Sequence, residues 1–339
     1  MRVAVIGTGG IANNIHMHSL TEMPDVEVVA ACDVNHYRVS DFSKKWNIPK
    51  TYESYLTLLN EEKIDAALIL VWPDQLYRIT RDFLDAKVHC FIEKPAGITL
   101  FQSRSLLKCS LKNNVLLQVG LNRRHIPLLT YVLEILKDAG PLNQIEGSFF
   151  KHDSASFYNG CADAFVCDTI HALDIVSWLA NSEPKSAALI AAMYGEDPDV
   201  GVEGENAWNG IIRFKNGITG IIKANYQTGG RVHNLEIHCQ NASAYINLGF
   251  GTEGCEADIL FSGQKKSFSI SSAGAGDVSK QHINGIEIAK SDKYHRYYGY
   301  YDILRNFFDA IKGEAELGSS IESAVKSMSL IEYLQANKI

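Results

Sequence analysis

Residues 1–12 read Met1-Arg-Val-Ala-Val-Ile-Gly-Thr-Gly-Gly-Ile-Ala12, a short apolar strand (Arg2 to Ile6) that runs into three glycines and then into a helix-forming stretch, Gly10 to Leu20. In this G-x-G-x-x-A pattern Gly7 permits the tight turn out of the strand, and Gly9 lets the backbone approach a pyrophosphate. Ala12 lets the helix pack close to the sheet. Thr8, Gly10 and Ile11 complete the turn, whose N–H groups and helix dipole favour an anion. A second apolar run, Val26 to Cys32, ends in Asp33, and an acidic residue about 20 positions beyond the glycines is what the ribose hydroxyls of NAD require. The charge of Asp33 disfavours the 2′-phosphate of NADP, a preference softened by His36 and Arg38 just beyond it.

The chain has 339 residues, more than one ordinary core accommodates, so two domains are expected. It is 46% hydrophobic and 21% charged with a formal net charge of −7, and it has no basic stripe of the kind a nucleic-acid partner needs. Seven cysteines include no C-x-x-C pair. Reduced thiols in a cytoplasm, without a metal site or disulfide framework, are the expectation. A strand that starts at residue 2 leaves no signal peptide in this reading. The longest apolar run, Ala66 to Trp72, is far short of the ~20 residues a membrane span needs.

To about Gly120 strands and helices alternate: helix Asn35 to Trp46, helix Ser54 to Asn60, strand Asp65 to Val71, helix Gln75 to Ala86, strand Val88 to Ile92, helix Thr99 to Asn114, strand Leu116 to Gly120. This order predicts a six-stranded, doubly wound parallel sheet with its ligands beyond the carboxyl ends of the strands. Gly7 to Gly10, Asp33, Trp72, Pro73, Asp74, Glu93, Lys94, Pro95 and Asn122 then face one crevice. After Arg124 the chain reads as strands with short turns: Gln144 to Lys151, Ala187 to Tyr194, Trp208 to Phe214, Ile218 to Tyr226, Asn234 to Cys239, Ser243 to Leu248, Ala257 to Phe261 and Ser267 to Ile270. Helices are expected over Pro127 to Lys137, Thr169 to Leu179, Arg296 to Lys312 and Ser320 to Ala336, and a mobile loop over Ser271 to Asp277.

Four stretches, Gly7-Thr-Gly-Gly-Ile-Ala12, Glu93-Lys94-Pro95, Val119-Gly-Leu-Asn-Arg-Arg124 and His171-Ala-Leu-Asp-Ile-Val-Ser-Trp-Leu179, together resemble the glucose-fructose oxidoreductase, inositol dehydrogenase and MocA family over essentially the whole chain. The resemblance implies an α/β protein. Its N-terminal part would be a Rossmann sheet, and its C-terminal part an α+β domain with a large, mainly antiparallel open sheet. It also implies that Lys94 is catalytic and that the bond before Pro95 is cis. Moving a hydride between an alcohol carbon and nicotinamide leaves a proton on oxygen, which a lysine amine can take or return.

The family shows Asp, three residues, then His. Here the residue four before His171 is Cys167, and the aspartate is Asp168. A shift of one residue at a helix start is about 100° around the axis, so Asp168 either reaches the substrate beside His171 or caps the helix. Cys167 is a buried filler or lines the pocket. Arg123 and Arg124 suit a substrate hydroxyl, carboxylate or phosphate, or else pair with a carboxylate of the protein. Tyr158 and Lys151 lie where substrate contacts are expected, whereas Asp174 and Trp178 are read as packing and helix-face residues. Trp72, where the family commonly has Thr, and Tyr77, where it has His, either wall in the cofactor or pack in the core.

The expectation is an NAD(P)-dependent oxidoreductase acting on a secondary alcohol of a sugar, polyol or sugar derivative. The division is 1–121 for NAD(P), 122–295 for substrate and oligomerisation, and 296–339 for helices packing back on the N-terminal domain. Apolar surface on the open sheet would pair copies into a homodimer or homotetramer. Two rivals stand: an NAD-binding sensor or regulator of the same fold, and an NAD-dependent glycosidase.

Overall fold

The computed structural model describes residues 1–157, 162–195, 204–249, 255–262 and 278–339. Tyr158, the expected strand Ser267 to Ile270 and the loop Ser271 to Asp277 lie outside the described residues.

The first sheet contains β1 (Arg2–Ile6), β2 (Glu27–Cys32), β3 (Lys50–Tyr52), β4 (Ala66–Ile69), β5 (His89–Ile92) and β6 (Leu117–Val119), in the order β3-β2-β1-β4-β5-β6. All pairs are parallel. Strands covered by helices on both faces must be apolar throughout, and Val3 to Ile6 and Ala66 to Ile69 are buried without alternation. Helix ends are set by local chemistry. Asn35 accepts from Arg38 N and Thr99 from Gln102 N, Pro73 takes the first helical position after Trp72, and Asn47 and Asn114 close helices in the left-handed conformation.

The helix after the glycine turn begins with a wide segment, Ala12–His16, in which Met17 N bonds Ala12 O five residues back, before Met17–Leu20 continues as ordinary α-helix.

The second sheet is β7 (Leu142–His152), β10 (Pro184–Ala192), β11 (Ala207–Phe214), β12 (Thr219–Asn225), β13 (Gln227–Cys239), β14 (Ala242–Asn247), β15 (Glu256–Ser262) and β16 (Val278–Asn284), ordered β10-β11-β12-β7-β13-β14-β15-β16. A small ribbon, β8 (Ser156–Phe157) with β9 (Ala162–Asp163), stands apart. Only the β12–β7 pair of the large sheet is parallel among the described residues. The helix Ile170–Ala180 lies against its inner face. Gly147 and Gly220 make that approach possible, since a Cβ there would come within 3.1 Å of Ala172 O and 2.7 Å of Val176 Cγ1 respectively. This helix is buried nearly all round, so its polar members His171 and Asp174 sit inside the protein.

One difference from the expected elements has a local cause. Arg296 to Lys312 is two helices, Tyr294–Tyr297 and Tyr300–Ile311, because Gly299 turns the chain at φ +78°. A Cβ at Gly299 would strike Asn122 O at 2.7 Å. The outer face of the open sheet is mixed: Ala188, Ile211 and Ile221 are cross-strand neighbours on β10, β11 and β12, and Phe150 lies opposite Val232. It also carries Glu146 with Lys223 at 2.8 Å, Glu236 with His238 at 3.6 Å and Asp258 with Lys280 at 2.9 Å, with Ile190 and Tyr245 exposed. The C-terminal segment joins both sheets: Val119 N bonds Ser319 O beside β6, and Leu189 of β10 bridges to Lys338. No helix among the described residues is long and apolar enough to cross a membrane.

Candidate active site

The glycine turn fits a dinucleotide on steric grounds. Gly7 has φ +88° and no room for a side chain, because a Cβ would lie 2.6 Å from Leu70 O. Gly9 is the reverse: a Cβ would meet no protein atom within 4 Å, so the protein's own packing does not demand glycine there, whereas close approach of a phosphate would. Asp33 stands at the end of β2. Its Oδ2 accepts from Thr8 N and Thr8 Oγ1, both at 3.0 Å, and its Oδ1 from Asn35 N at 2.9 Å. Arg38 reaches Asp33 at 3.5 Å. Trp72 projects from the end of β4, 57% exposed, on the same edge. Tyr77 points elsewhere, its hydroxyl 2.9 Å from Ser105 Oγ on the neighbouring helix, which resolves its alternative in favour of packing.

Glu93 and Lys94 end β5. Glu93 pairs with His16 at 2.8 Å, a partner that no sequence pattern announced. Burial would raise the Glu93 carboxyl, but the His16 bond and the Lys94 charge hold it below the usual range. The Lys94–Pro95 bond is cis. From here Lys94 crosses to the second half of the molecule, donating from Nζ to Cys167 O at 2.6 Å and standing 3.5 Å from Asp168 Oδ1.

Asp168 does not cap the helix. The capping position is Thr169, which makes no side-chain capping bond and whose Oγ1 instead meets Tyr226 OH at 3.2 Å. Asp168 ends the preceding short helix, Ala164–Cys167, in a non-helical conformation (φ −135°), so the rotation expected along a continuous helix does not apply. Its carboxylate turns to Lys94, to Lys151 Nζ at 2.8 Å and to Tyr226 OH at 3.2 Å. Burial would raise this carboxyl, yet the charges of Lys94, Lys151 and Arg123 bring it down. The departure at Cys167 is thus met by the backbone, which supplies a carbonyl to Lys94, while the side chain is fully buried.

His171 follows on the helix, 4% exposed, with Nδ1 buried and lacking a hydrogen-bond partner among the described residues. Burial, then the charges of Arg123 and Lys94, press its pKa well below the usual 6.5, so the imidazole is neutral at neutral pH. His233 on β13 lies beside it, ring centroids 6.4 Å apart, and Arg123 Nε approaches His233 Nδ1 at 3.5 Å while its guanidinium covers the Tyr298 ring at 4.6 Å. His233 was missed because the expected strand began at Asn234. A histidine in phase with the inward Leu235 and Ile237 was the available signal.

Two expected ligand contacts are corrected. Arg124 forms a two-bond ion pair with Asp174 (2.8 and 2.6 Å) and also donates to Gly318 O and Ser323 Oγ, deep between the helices. A buried guanidinium requires such partners, and these four bonds engage all three of its nitrogens. Asn122, expected at the cofactor, donates to Tyr298 O at 2.8 Å and accepts from Arg123, holding the Gly299 turn.

Fold and site together define an NAD-binding oxidoreductase with a Rossmann sheet and a second, mostly antiparallel sheet. Residues 1–121 match the model of the oxidoreductase family with an NAD-binding Rossmann fold, and residues 152–245 match the Gfo/Idh/MocA C-terminal domain. The chain belongs to the Gfo/Idh/MocA family. It is 25% identical over 205 residues to the uncharacterized oxidoreductase YrbE of Bacillus subtilis, covering 58% of this chain and 60% of that one. To myo-inositol 2-dehydrogenase of Thermotoga maritima it is 24% identical over 227 residues, 66% of this chain and 67% of that one. The match to YrbE thus spans less than two thirds of that relative's length. A dehydrogenase from Chromobacterium violaceum shares the fold with a TM-score of 0.84 at 17% identity, over 100% of this chain and 95% of that one.

Proposed function

We propose that this protein is an NAD-dependent dehydrogenase acting on a secondary alcohol carbon of a sugar, polyol or sugar derivative, with Lys94 as principal acid/base and His171 assisting. The observation that carries the reading is the crossing of Lys94 from the glycine-turn sheet to Cys167 O and Asp168, beside a buried neutral His171. The inositol dehydrogenase relative supports the substrate class.

Gly7 to Ala12, Asp33, Trp72, Pro73 and Glu93 would hold the cofactor, whose nicotinamide supplies the hydride acceptor or donor when bound. Lys94 takes the hydroxyl proton in oxidation and returns it in reduction. Asp168 fixes the amine by charge, and Lys151 and Tyr226 fix Asp168. His171, neutral, donates its ring N–H to the oxygen of the same hydroxyl and steadies the charge that develops there. On this reading residues 1–121 carry the cofactor, 122–295 the substrate, and 296–339 close the joint.

The test is nicotinamide absorbance with NAD over a panel of inositols and sugars, with Lys94→Met as control. Turnover should fall at least 10²-fold in the variant while NADH binding, followed by fluorescence, is kept. Binding of NAD and sugar without any absorbance change would favour a sensor. Release of a chromogenic glycoside without net NADH would favour a glycosidase.

A further inference from the structure

We propose that His16 is a positioning residue for the cofactor: it holds the Glu93 carboxylate at the nicotinamide end of the crevice, where a negative charge favours oxidised over reduced nicotinamide. This rests on the placing of the cofactor in the reading above, and not on which alcohol is taken. In the sheet β2 and β4 flank β1 on opposite sides, and β5 lies beyond β4. With the ribose at Asp33 after β2 and the pyrophosphate over the turn after β1, the other half of the dinucleotide runs toward β4 and β5. Glu93 follows β5.

The pair is built into the fold. His16 Nε2 stands 2.8 Å from Glu93 Oε1, with side-chain exposures of 1% and 14%, so the imidazole lies behind and only the carboxylate reaches the surface. Glu93 Oε2 accepts from Lys94 N at 3.3 Å. Gly120 leaves the carboxylate its room, since a Cβ there would come within 3.2 Å of the same oxygen. Phe91 and Tyr300 enclose the His16 ring edge-on, at 5.4 and 5.8 Å. Its Nδ1 is buried and meets no hydrogen-bond partner among the described residues. Packing alone would be served better by an apolar ring, so what the histidine adds is the Nε2 bond.

The helix is shaped to deliver that bond. The wide segment Ala12–His16 closes on a bond one residue longer than the α-helical one, a feature that recurs at functional sites. His16, its last member, is turned inward with Ala12 as the second buried residue of the segment. An ionised carboxylate only accepts, so the ring nitrogen donates. Burial pushes the Glu93 carboxyl up, and the His16 bond with the Lys94 charge keeps it ionised. Without His16 burial prevails, the carboxyl takes a proton and its charge is lost. Oxidised nicotinamide carries a positive charge that the reduced ring lacks, so this carboxylate stabilises bound NAD+ more than bound NADH.

Dissociation constants for NADH by fluorescence, and for NAD+ and ADP-ribose by calorimetry, test this. In Glu93→Gln the ratio of the NAD+ constant to the NADH constant should rise about 10-fold. His16→Phe and His16→Leu remove the donor with an apolar side chain in its place, and each should raise the ratio nearly as much. His16→Gln, which still donates, should return most of the preference. Combining Glu93→Gln with His16→Phe should add nothing, because the two act as one unit. ADP-ribose lacks the nicotinamide and should bind every variant within about twofold. An unchanged ratio in Glu93→Gln or in both apolar His16 variants, additive effects, or a parallel loss of ADP-ribose affinity, the mark of a merely structural role, would overturn the inference. Ratios that move as stated in a protein that oxidises no alcohol would sustain it while refuting the dehydrogenase reading. Turnover of an inositol or sugar with unmoved ratios would do the opposite.

Discussion

Lys94 Nζ lies 3.5 Å from Asp168 Oδ1 while Lys151 holds the other oxygen of that carboxylate at 2.8 Å, so the carboxylate is shared by the end of β5 and the inner face of β7. Asp168→Asn keeps the shape and removes the charge. We expect kcat to fall about 10²-fold, the scale of a misplaced acid/base group, with KM changing less. Lys151 keeps Asp153 at 2.9 Å, so the fold should lose about 1–3 kcal/mol, read from urea denaturation. Full activity in this variant would show that Lys94 needs no anion beside it.

The Arg124–Asp174 pair gives the opposite pattern. Asp174 accepts from two guanidinium nitrogens and from Ser327 Oγ at 2.6 Å, all buried between Ile170–Ala180 and Ile321–Ala336. Asp174→Ala should cost about 3–5 kcal/mol by stranding a buried cation, and Arg124→Met with Asp174→Leu should restore much of it. NADH affinity should change in neither. A large change in cofactor binding would return Arg124 to the ligand-binding set.

The parts of this molecule visible in its sequence are those whose cause is local. Strands β1 and β4 are continuous apolar runs because helices cover both faces, and the Gly7 to Asp33 spacing encodes a turn that the backbone alone dictates. Strand β3 is three residues with no buried member, and β16 is an edge strand whose Ser279, Lys280, Gln281 and His282 are all exposed, so neither has a pattern to read. Lys94 was marked by the resemblance that four separate stretches carry together, and its tripeptide alone gave no sign of its approach to Asp168. His233 was not legible, since its meaning comes from Arg123, 110 residues away. Likewise the burial of Arg124 in an ion pair was set by Asp174, 50 residues on, and the expected helix Arg296 to Lys312 broke where Asn122 presses on Gly299.

Cofactor preference should turn on Asp33 and Arg38. The carboxylate is anchored by Thr8 and Asn35, with Arg38 at 3.5 Å. Asp33→Ala removes a charged acceptor for the ribose and leaves Arg38 available to a 2′-phosphate. Loss of one such bond, about 1.5 kcal/mol, should weaken NADH about 10-fold while NADPH gains. Adding Arg38→Ala should cancel the gain. Fluorescence titration of both dinucleotides checks this, and an unchanged ratio in Asp33→Ala would remove Asp33 from the specificity site.

Acid should destabilise the protein from about pH 6.5 downward, before any paired carboxylate is protonated. Burial, with the Arg124 charge, pushes His125 down to about 3, and His171 and His233 also lie well below 6.5, chiefly through burial. In the unfolded chain each takes a proton near pH 6.5, so below that pH the unfolded state binds more protons and stability falls with pH. For His125 alone, 1.5 units at 1.36 kcal/mol each gives about 2 kcal/mol lost by pH 5. Asp302 works against this. Burial raises it to about 6, so the folded state protonates first and gains between pH 6 and 4. Glu22 adds a later loss: against the effect of its burial, Lys293, Arg296 and His295 draw it down to about 2, and its contribution, present above pH 4.5, disappears toward that value. Melting temperatures from pH 8 to 4 should therefore be flat above 7 and decline from 6.5. His125→Phe should flatten the first part of the decline if the ring packs in place. A curve with no fall until pH 4.5 would mean that these histidines charge inside the folded protein.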